Sequence, residues 1–175
     1  MEETILTNRL LIRKPQINDH MAVYENWVRD PEITKYLTWR PHKSPEETRS
    51  FIQQCIKDWE SRTRFPFVIC LMSTREVIGM IEFRIDKFKA EIGYVLYKKY
   101  WGQGYMTEAL KEMLDLLLSQ EKIYRVQAYC DIGNTGSFRV MEKAGMNCEG
   151  ILSRFAIHPN ISDAPRDCYM FSKTK

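Results

Sequence analysis

The sequence predicts a mixed α/β or α+β fold with a central sheet, and two observations lead to this fold class. The spacing of apolar residues changes along the chain from a helical period to short buried or alternating runs, and back again. The predicted helices and strands also follow one another along the chain and do not form two separate blocks. No repeat or long linker interrupts the sequence, so residues 1–175 are predicted to form one domain.

The first segment of the chain predicts one strand followed by two helices. The strand covers residues 9–13 and ends before Pro15, and a helix is expected from a cap at Asn18 to about residue 28. Asp30 and Pro31 then predict the cap and the first position of a short helix that ends near residue 37.

The next helix has a stronger start signal. Ser44 is a suitable cap, Pro45 suits the first turn, and Glu47 completes the pattern of a capping box. The helix that follows has one apolar side with a period near 3.6, formed by Phe51, Ile52, Cys55, Ile56 and Trp59.

The middle of the chain predicts an antiparallel meander, with strands at residues 67–72, 77–85 and 91–97. A helix is expected from about residue 105, then a strand at 124–130 and a helix at 134–144 that ends at a left-handed Gly145. Two C-terminal strands are expected within residues 146–157 and 168–172. The sheet therefore has about seven predicted strands.

Composition and charge argue against several classes of function. The chain has 26 Lys and Arg against 23 Asp and Glu, a net charge of +3, which does not favour nucleic acid. No apolar run approaches the roughly 20 residues of a membrane span, and the N-terminus does not resemble a secretory signal. The five cysteines and three histidines are widely spaced, which predicts reduced thiols in a cytoplasmic protein without a metal site.

A glycine-bearing turn between a strand and a helix is the most informative segment. Residues 98–104 contain Gly102 and Gly104, and Thr107 lies in the first turn of the next helix. Free N–H groups at a helix start favour an anion, and glycines allow its close approach. Neither the P-loop nor the dinucleotide fingerprint is present, and an ordinary tight connection stays an alternative.

Two blocks resemble the acetyl-coenzyme A signature of the GNAT superfamily. The first is Glu-Ile-Gly-Tyr-Val-Leu at 91–96 with Trp-Gly-Gln-Gly-Tyr-Met-Thr-Glu-Ala at 101–109. The second is Asn-Thr-Gly-Ser at 134–137 with Glu-Lys-Ala-Gly-Met at 142–146. They most resemble the branch of ribosomal-protein N-terminal alanine and serine acetyltransferases. With weaker matches nearer the N-terminus, the resemblance spans roughly residues 5–172.

This resemblance implies a GNAT-like fold with a mixed, mostly antiparallel sheet. It also implies an N-acetyltransferase that moves an acetyl group from acetyl-CoA to a primary amine by direct attack in a ternary complex, without a metal. The residues implied to bind acetyl-CoA are Tyr94, Val95, Leu96, Trp101, Gly102, Gln103, Gly104, Tyr105, Met106, Thr107, Asn134 and Ser137.

The resemblance also implies catalytic roles. Ser137 is implied to protonate the departing thiolate, and a backbone N–H near Leu96 is implied to stabilise the oxyanion. Glu91 is the candidate base and Glu82 is its rival, and a third alternative is that an α-amine of pKa about 7.7–8.0 needs no base. The alternative for Asn134 is a role as a helix cap alone.

Three departures from the family pattern leave a second function open. Met141 stands where many members have a tyrosine, Met106 where a small residue is usual, and Ala156 where one enzyme type has an acidic residue. The alternative is a catalytically silent coenzyme A-binding module that acts as a sensor or partner protein.

The acceptor side is expected in the N-terminal third, where Tyr36 and Trp39 are candidates for the cleft wall. The predicted partners are acetyl-CoA and an amine acceptor, with a protein N-terminus as one candidate, and neither nucleic acid nor a membrane. The expected oligomeric state is a monomer or a homodimer.

Overall fold

The computed structural model describes residues 2–175, and Met1 lies outside them. The strands are β1 (Thr4–Leu6), β2 (Leu10–Arg13), β3 (Phe65–Leu71), β4 (Val77–Asp86), β5 (Lys89–Leu96), β6 (Arg125–Asp131), β7 (Asn147–Ala156) and β8 (Arg166–Thr174). The helices are α1 (His20–Val23), α2 (Pro31–Thr34), α3 (Pro45–Ser61), α4 (Tyr105–Ser119) and α5 (Thr135–Lys143). Short 3-10 turns cover Ile17–Asp19 and Lys98–Tyr100, and a π turn covers Tyr24–Val28.

The eight strands form one mixed sheet in the order β1-β2-β3-β4-β5-β6-β8-β7. All neighbours are antiparallel except β5 and β6, which are parallel. The predicted mixed, mostly antiparallel sheet is confirmed, with one strand more than the seven expected. The extra strand is β1, whose three residues are too few to show the alternation from which a strand is predicted.

Apolar side chains pack on both faces of the sheet. One cluster joins α4 to the sheet through residues such as Leu110, Met113 and Ile81, all of them fully buried. A second cluster joins the N-terminal helices to the opposite face and includes Trp27 and Ile52. Alternate residues of β3 contribute to the two clusters, as the two-residue period of a strand requires.

The N-terminal helices differ from their predicted bounds. The helix expected from a cap at Asn18 begins earlier, with Gln16, whose N–H donates to Asp19 Oδ2 at 2.7 Å. It then passes from a 3-10 turn into α1 and the π turn, so it is not one regular helix. The cap at Asp30 is confirmed, because its carboxylate accepts from the N–H of Glu32 at 2.8 Å. The helix after it ends at Thr34 and does not reach residue 37.

The capping box predicted at the start of α3 was wrong in one of its two hydrogen bonds. Ser44 Oγ accepts from the Glu47 N–H at 3.3 Å, as predicted. The Glu47 carboxylate accepts from the N–H of Lys43 at 2.7 Å and not from that of Ser44.

The predicted end of α5 is confirmed. Gly145 follows this helix and has φ of 83°, which is the left-handed conformation expected there.

None of the helices within residues 2–175 combines the length and the apolarity that crossing a bilayer requires.

Candidate functional site

The parallel pair β5 and β6 separates soon after it forms. Register pairs exist only between residues 89–91 of β5 and 125–127 of β6. The Tyr97 N–H donates to Ile78 O at 2.8 Å, on the β4 side. Since amide directions alternate along a strand, the Leu96 N–H points to the other edge, towards the gap. The backbone of residues 92–96 therefore offers hydrogen-bonding groups that β6 does not use.

The glycine turn follows this free edge. Gly102 and Gly104 have φ of 73° and 80°, and an added Cβ at Gly102 would meet nothing within 4 Å. The first bond of α4 runs from the Glu108 N–H to Gly104 O, and among residues 2–175 no side chain caps the helix. The N–H groups of residues 105–107 are therefore available to an anion. This arrangement fits the pyrophosphate of coenzyme A.

Other residues of the turn hold its shape. Trp101 Nε1 donates to Leu96 O at 2.8 Å, and Gln103 Nε2 donates to Lys99 O at 2.9 Å. The side chain of Met106 lies in the core with 3% exposure, so it takes no space at the helix start. The ring of Tyr105 is covered by the guanidinium of Arg9 at 4.3 Å.

Arg9 contacts this turn, and nothing in the sequence predicted that contact. Its Nη1 donates to Gln103 O at 3.0 Å, and its Nε donates to Glu108 Oε2 at 2.6 Å. Hydrogen bonds from Thr7 and Arg9 lower the pKa of Glu108, although burial alone would raise it. No spacing rule links Arg9 to a turn almost 100 residues later, so only the fold brings them together.

On the other side of the gap, Ser137 forms a hydrogen-bonded pair with Tyr94. Their hydroxyl oxygens are 2.8 Å apart, and Tyr94 OH also donates to Ser137 O at 3.2 Å. Burial raises the pKa of Tyr94, so the phenol stays neutral. The Asn134 side chain accepts from the Ser137 N–H at 3.1 Å and so caps α5. Met141, one turn further along α5, is fully buried in the core.

A cavity of about 260 Å³ brings about half of the predicted site residues together. Its walls include the predicted acceptor residues Tyr36 and Trp39, together with both Glu82 and Glu91. They also include Tyr94, Val95, Asn134 and Ser137 from the predicted cofactor set. Leu96 and the glycine turn are not among the lining residues, because they border the gap beyond it.

The two candidate bases differ in their surroundings. Glu91 Oε2 accepts from Gln127 Nε2 at 3.0 Å. Glu82 lies 3.3 Å from Arg64 Nη1, and its side chain is 29% exposed. Burial raises the pKa of Glu82, and the charges of Arg64 and Arg84 oppose this without cancelling it. Glu82 is thus the carboxylate whose affinity for a proton is increased.

His158 is a further cavity residue that the sequence did not identify. It is 2% exposed, and its Nε2 lies 3.8 Å from Asp131 Oδ2. Asp131 also accepts from Arg166 Nε at 2.5 Å and from the Gly133 N–H at 2.8 Å. Burial alone would raise the pKa of Asp131, but these hydrogen bonds lower it. The carboxylate therefore stays ionised beneath the turn that leads into α5.

No three His, Cys, Asp or Glu side chains in the described part of the chain form a group that could hold a metal ion.

A family model for the acetyltransferase (GNAT) domain matches residues 9–147, which is more than half of the chain. The chain belongs to the GNAT acetyltransferase family. This GNAT protein is 31% identical to p20, an uncharacterized N-acetyltransferase of Bacillus licheniformis, over 99% of this chain and 97% of p20. It is 28% identical to the ribosomal-protein-serine acetyltransferase of Escherichia coli K12, over 87% and 89% of the two chains.

Solved structures agree with this membership. A GNAT-family acetyltransferase from Bacillus anthracis matches with a TM-score of 0.85 and 31% identity, over 98% of both chains. The microcin C7 self-immunity acetyltransferase MccE, solved with acetyl-CoA and AMP, shares the fold at 21% identity and a TM-score of 0.87. The expectation of an acetyl-CoA-dependent acyltransferase is confirmed. The alternative of a catalytically silent coenzyme A-binding module finds no support among these relatives.

Replacing Arg64 by Met should raise the pKa of Glu82 further, because the lost cation favours the ionised carboxylate. The measurement is the 13C shift of the Glu82 carboxyl group against pH, assigned with Glu82→Gln. Arg64→Lys keeps the charge and should produce a smaller change. An unchanged pKa in Arg64→Met would show that the ion pair does not act on Glu82.

Proposed function

We propose that this GNAT protein acetylates a primary amine, either the N-terminal α-amine of a protein or peptide or the amine of a small molecule. One observation supports this most directly: the same cavity is lined by two carboxylates, Glu82 and Glu91, and by the hydroxyl of Ser137. A group that takes up the amine proton and a group that gives up a proton are both needed for acetyl transfer to an amine. The similarity to a ribosomal-protein-serine acetyltransferase favours an α-amine.

Acetyl-CoA supplies the acetyl group as an activated thioester. We infer that the backbone edge of Tyr94, Val95 and Leu96 binds its pantetheine arm, because β6 leaves that edge unpaired. The pyrophosphate is assigned to the turn and first helical residues, which are Trp101, Gly102, Gln103, Gly104, Tyr105, Met106 and Thr107. Asn134 and Ser137 lie across the gap and would contact the arm from the other side.

The proposed catalytic role of each group follows from its position in the cavity or beside the gap. Glu82 or Glu91 accepts the proton of the amine, and the raised pKa of Glu82 favours Glu82 for this task. The Leu96 N–H stabilises the negative charge that develops on the thioester oxygen while the C–N bond forms. Ser137 donates its proton to sulfur as the C–S bond breaks and takes up a proton from solvent in its place, and the hydroxyl of Tyr94, 2.8 Å away, orients it. Tyr36 and Trp39 form the wall against which the acceptor lies.

The domain organisation, compartment, oligomeric state and partners are also proposals. Residues 1–175 would act as a single cytoplasmic domain, as a monomer or a homodimer, without a nucleic acid or membrane partner and without a metal.

Acetyl transfer read by mass spectrometry tests this function. Purified protein and acetyl-CoA are mixed with two acceptor pools, one of short peptides with free α-amines and one of small-molecule amines. We expect an acetylated product in at least one pool, and the pool that reacts identifies the acceptor class. No product in either pool, with acetyl-CoA still raising the melting temperature, would count against amine transfer.

Ser137→Ala should lower kcat about 100-fold, because a general acid contributes at least that much. The KM for acetyl-CoA should change little, since the cap of α5 uses the backbone N–H of this residue and survives the change. Steady-state kinetics measures both constants. Ser119→Ala is the matched control, because its hydroxyl bonds only Leu116 O at the far end of α4. Equal losses in kcat and cofactor affinity would indicate a binding role.

Gly104→Val should abolish detectable binding of coenzyme A in calorimetry, because valine disfavours the left-handed backbone of the turn and its Cβ would lie 3.5 Å from Arg9 Nη2, beside the contacts that hold the turn. The strain of a valine at φ of 80° costs about 1–2 kcal/mol, which the fold should survive. Gly145→Val is the matched control, with φ of 83° and free space around its Cβ position but no place in the turn. Retained affinity in Gly104→Val would refute this placement of the pyrophosphate.

A further inference from the structure

Arg9, the residue before β2, contacts the start of α4 at three residues. Its backbone N–H and its Nε donate to the two carboxylate oxygens of Glu108, at 3.0 and 2.6 Å, and Thr7 Oγ1 donates to the same carboxylate at 2.6 Å. The guanidinium lies over the ring of Tyr105, and its Nη1 donates to Gln103 O at 3.0 Å. Because 44% of the side chain is exposed, these polar contacts, and not burial in the core, hold it at the turn.

The bond from Arg9 to Gln103 O determines where the next N–H group points. The peptide that joins Gln103 to Gly104 is trans, and in a planar trans peptide the C=O and the following N–H point in opposite directions. Since Arg9 holds the carbonyl on its own side of the turn, the Gly104 N–H points to the other side. No backbone carbonyl within residues 2–175 accepts a hydrogen bond from this N–H. It is therefore a further donor available to an anion, directly before the N–H groups of residues 105–107.

The carboxylate of Glu108 gives Arg9 a second task. Glu108 lies in the first turn of α4, close to the N–H groups that are assigned to the pyrophosphate, and its negative charge would repel an anion there. Hydrogen bonds from Thr7 and Arg9 lower the pKa of Glu108, so the carboxylate is ionised at neutral pH. The guanidinium of Arg9 compensates this charge, with its Nε 2.6 Å from the carboxylate.

We propose that Arg9 is a positioning residue for the pyrophosphate of coenzyme A: it orients the Gly104 N–H towards the anion and compensates the charge of Glu108. The proposal rests on the placement of the pyrophosphate at this turn, which is part of the proposed function, and adds a residue that lies 94 positions before Gln103. Arg9 acts through its neighbours and need not touch the cofactor. Its effect is therefore confined to ligands that carry the pyrophosphate, and the pantetheine arm alone does not depend on it.

Arg9→Met tests the proposal, because it keeps a long side chain over Tyr105 and removes the charge and the donors. We expect the Kd of coenzyme A in calorimetry to rise about tenfold, or roughly 1.4 kcal/mol, the size of one hydrogen bond. The KM for acetyl-CoA should rise by the same factor, with little change in kcat. The KM for S-acetylpantetheine, which has the thioester and the arm but no pyrophosphate, should stay constant. Equal losses with both acetyl donors would overturn the proposal.

Arg9→Lys separates the two tasks of the guanidinium. Lysine keeps a positive charge beside Glu108, but it lacks the planar fork that bonds the carboxylate and Gln103 O at the same time. We expect a Kd for coenzyme A between those of the unmodified protein and Arg9→Met. Full affinity in Arg9→Lys would show that charge alone matters and would overturn the proposed orientation of the Gly104 N–H.

Arg13→Met is the matched control. Arg13 lies at the other end of β2 and forms a bidentate pair with Asp19 at 2.9 and 2.7 Å, so the chemical change is the same. Its side chain is less exposed, at 19%, and we expect a larger fall in melting temperature than in Arg9→Met, with an unchanged Kd for coenzyme A. If Arg13→Met raises that Kd equally, the effect is a general loss of stability and the proposal fails.

Binding measurements separate this inference from the proposed function. The affinities for coenzyme A and for pantetheine can be compared in Arg9→Met whether or not an amine is acetylated. The absence of acetylation of any amine overturns the proposed function, while a loss of affinity for coenzyme A alone still supports the role of Arg9. An unchanged Kd for coenzyme A in Arg9→Met, in a protein that acetylates an amine, overturns the role of Arg9 alone.

Discussion

The short parallel contact between β5 and β6 is the constraint on which the rest of the site depends. β5 pairs with β4 along its whole length, from the pair Gly79 and Leu96 to the pair Asp86 and Lys89. β6 pairs in the same way with β8, through seven residue pairs. Each strand is therefore held along its outer edge, and the two diverge after three residue pairs of their own. The gap leaves the Leu96 N–H without a strand partner, and α4 and α5 begin on either side of it.

The cavity proposed to hold the acceptor is closed by contacts between segments that are far apart in sequence. Tyr36 OH donates to Gly133 O at 2.9 Å, which joins the N-terminal segment to the turn before α5. Asn160 Nδ2 donates to both Thr34 O and Trp39 O, which joins the loop between β7 and β8 to the same segment. The ionised Asp131 stabilises the same turn by accepting a hydrogen bond from the Gly133 N–H. These bonds fix the aromatic wall with respect to the gap.

Local signals predicted most of the fold and one half of the site. The glycine turn, the Asn134 cap and the left-handed Gly145 are short patterns whose physical cause lies within a few residues. The other half depends on partners distant in sequence. Arg9 at the turn, Arg64 beside Glu82 and His158 above Asp131 have no periodicity or spacing that leads to them.

The two methionines at altered family positions show why a sequence departure need not alter the chemistry of a site. At Met106 the proposed anion contact is made by the backbone N–H, whereas the side chain leaves the helix in another direction and is buried. Met141 lies four residues after Ser137, one turn deeper on α5, and fills the core. Ser137 is closer to the N-terminus of α5, where the helix dipole favours negative charge. The same end of α5 therefore also favours the negative charge of the thiolate that Ser137 is proposed to protonate.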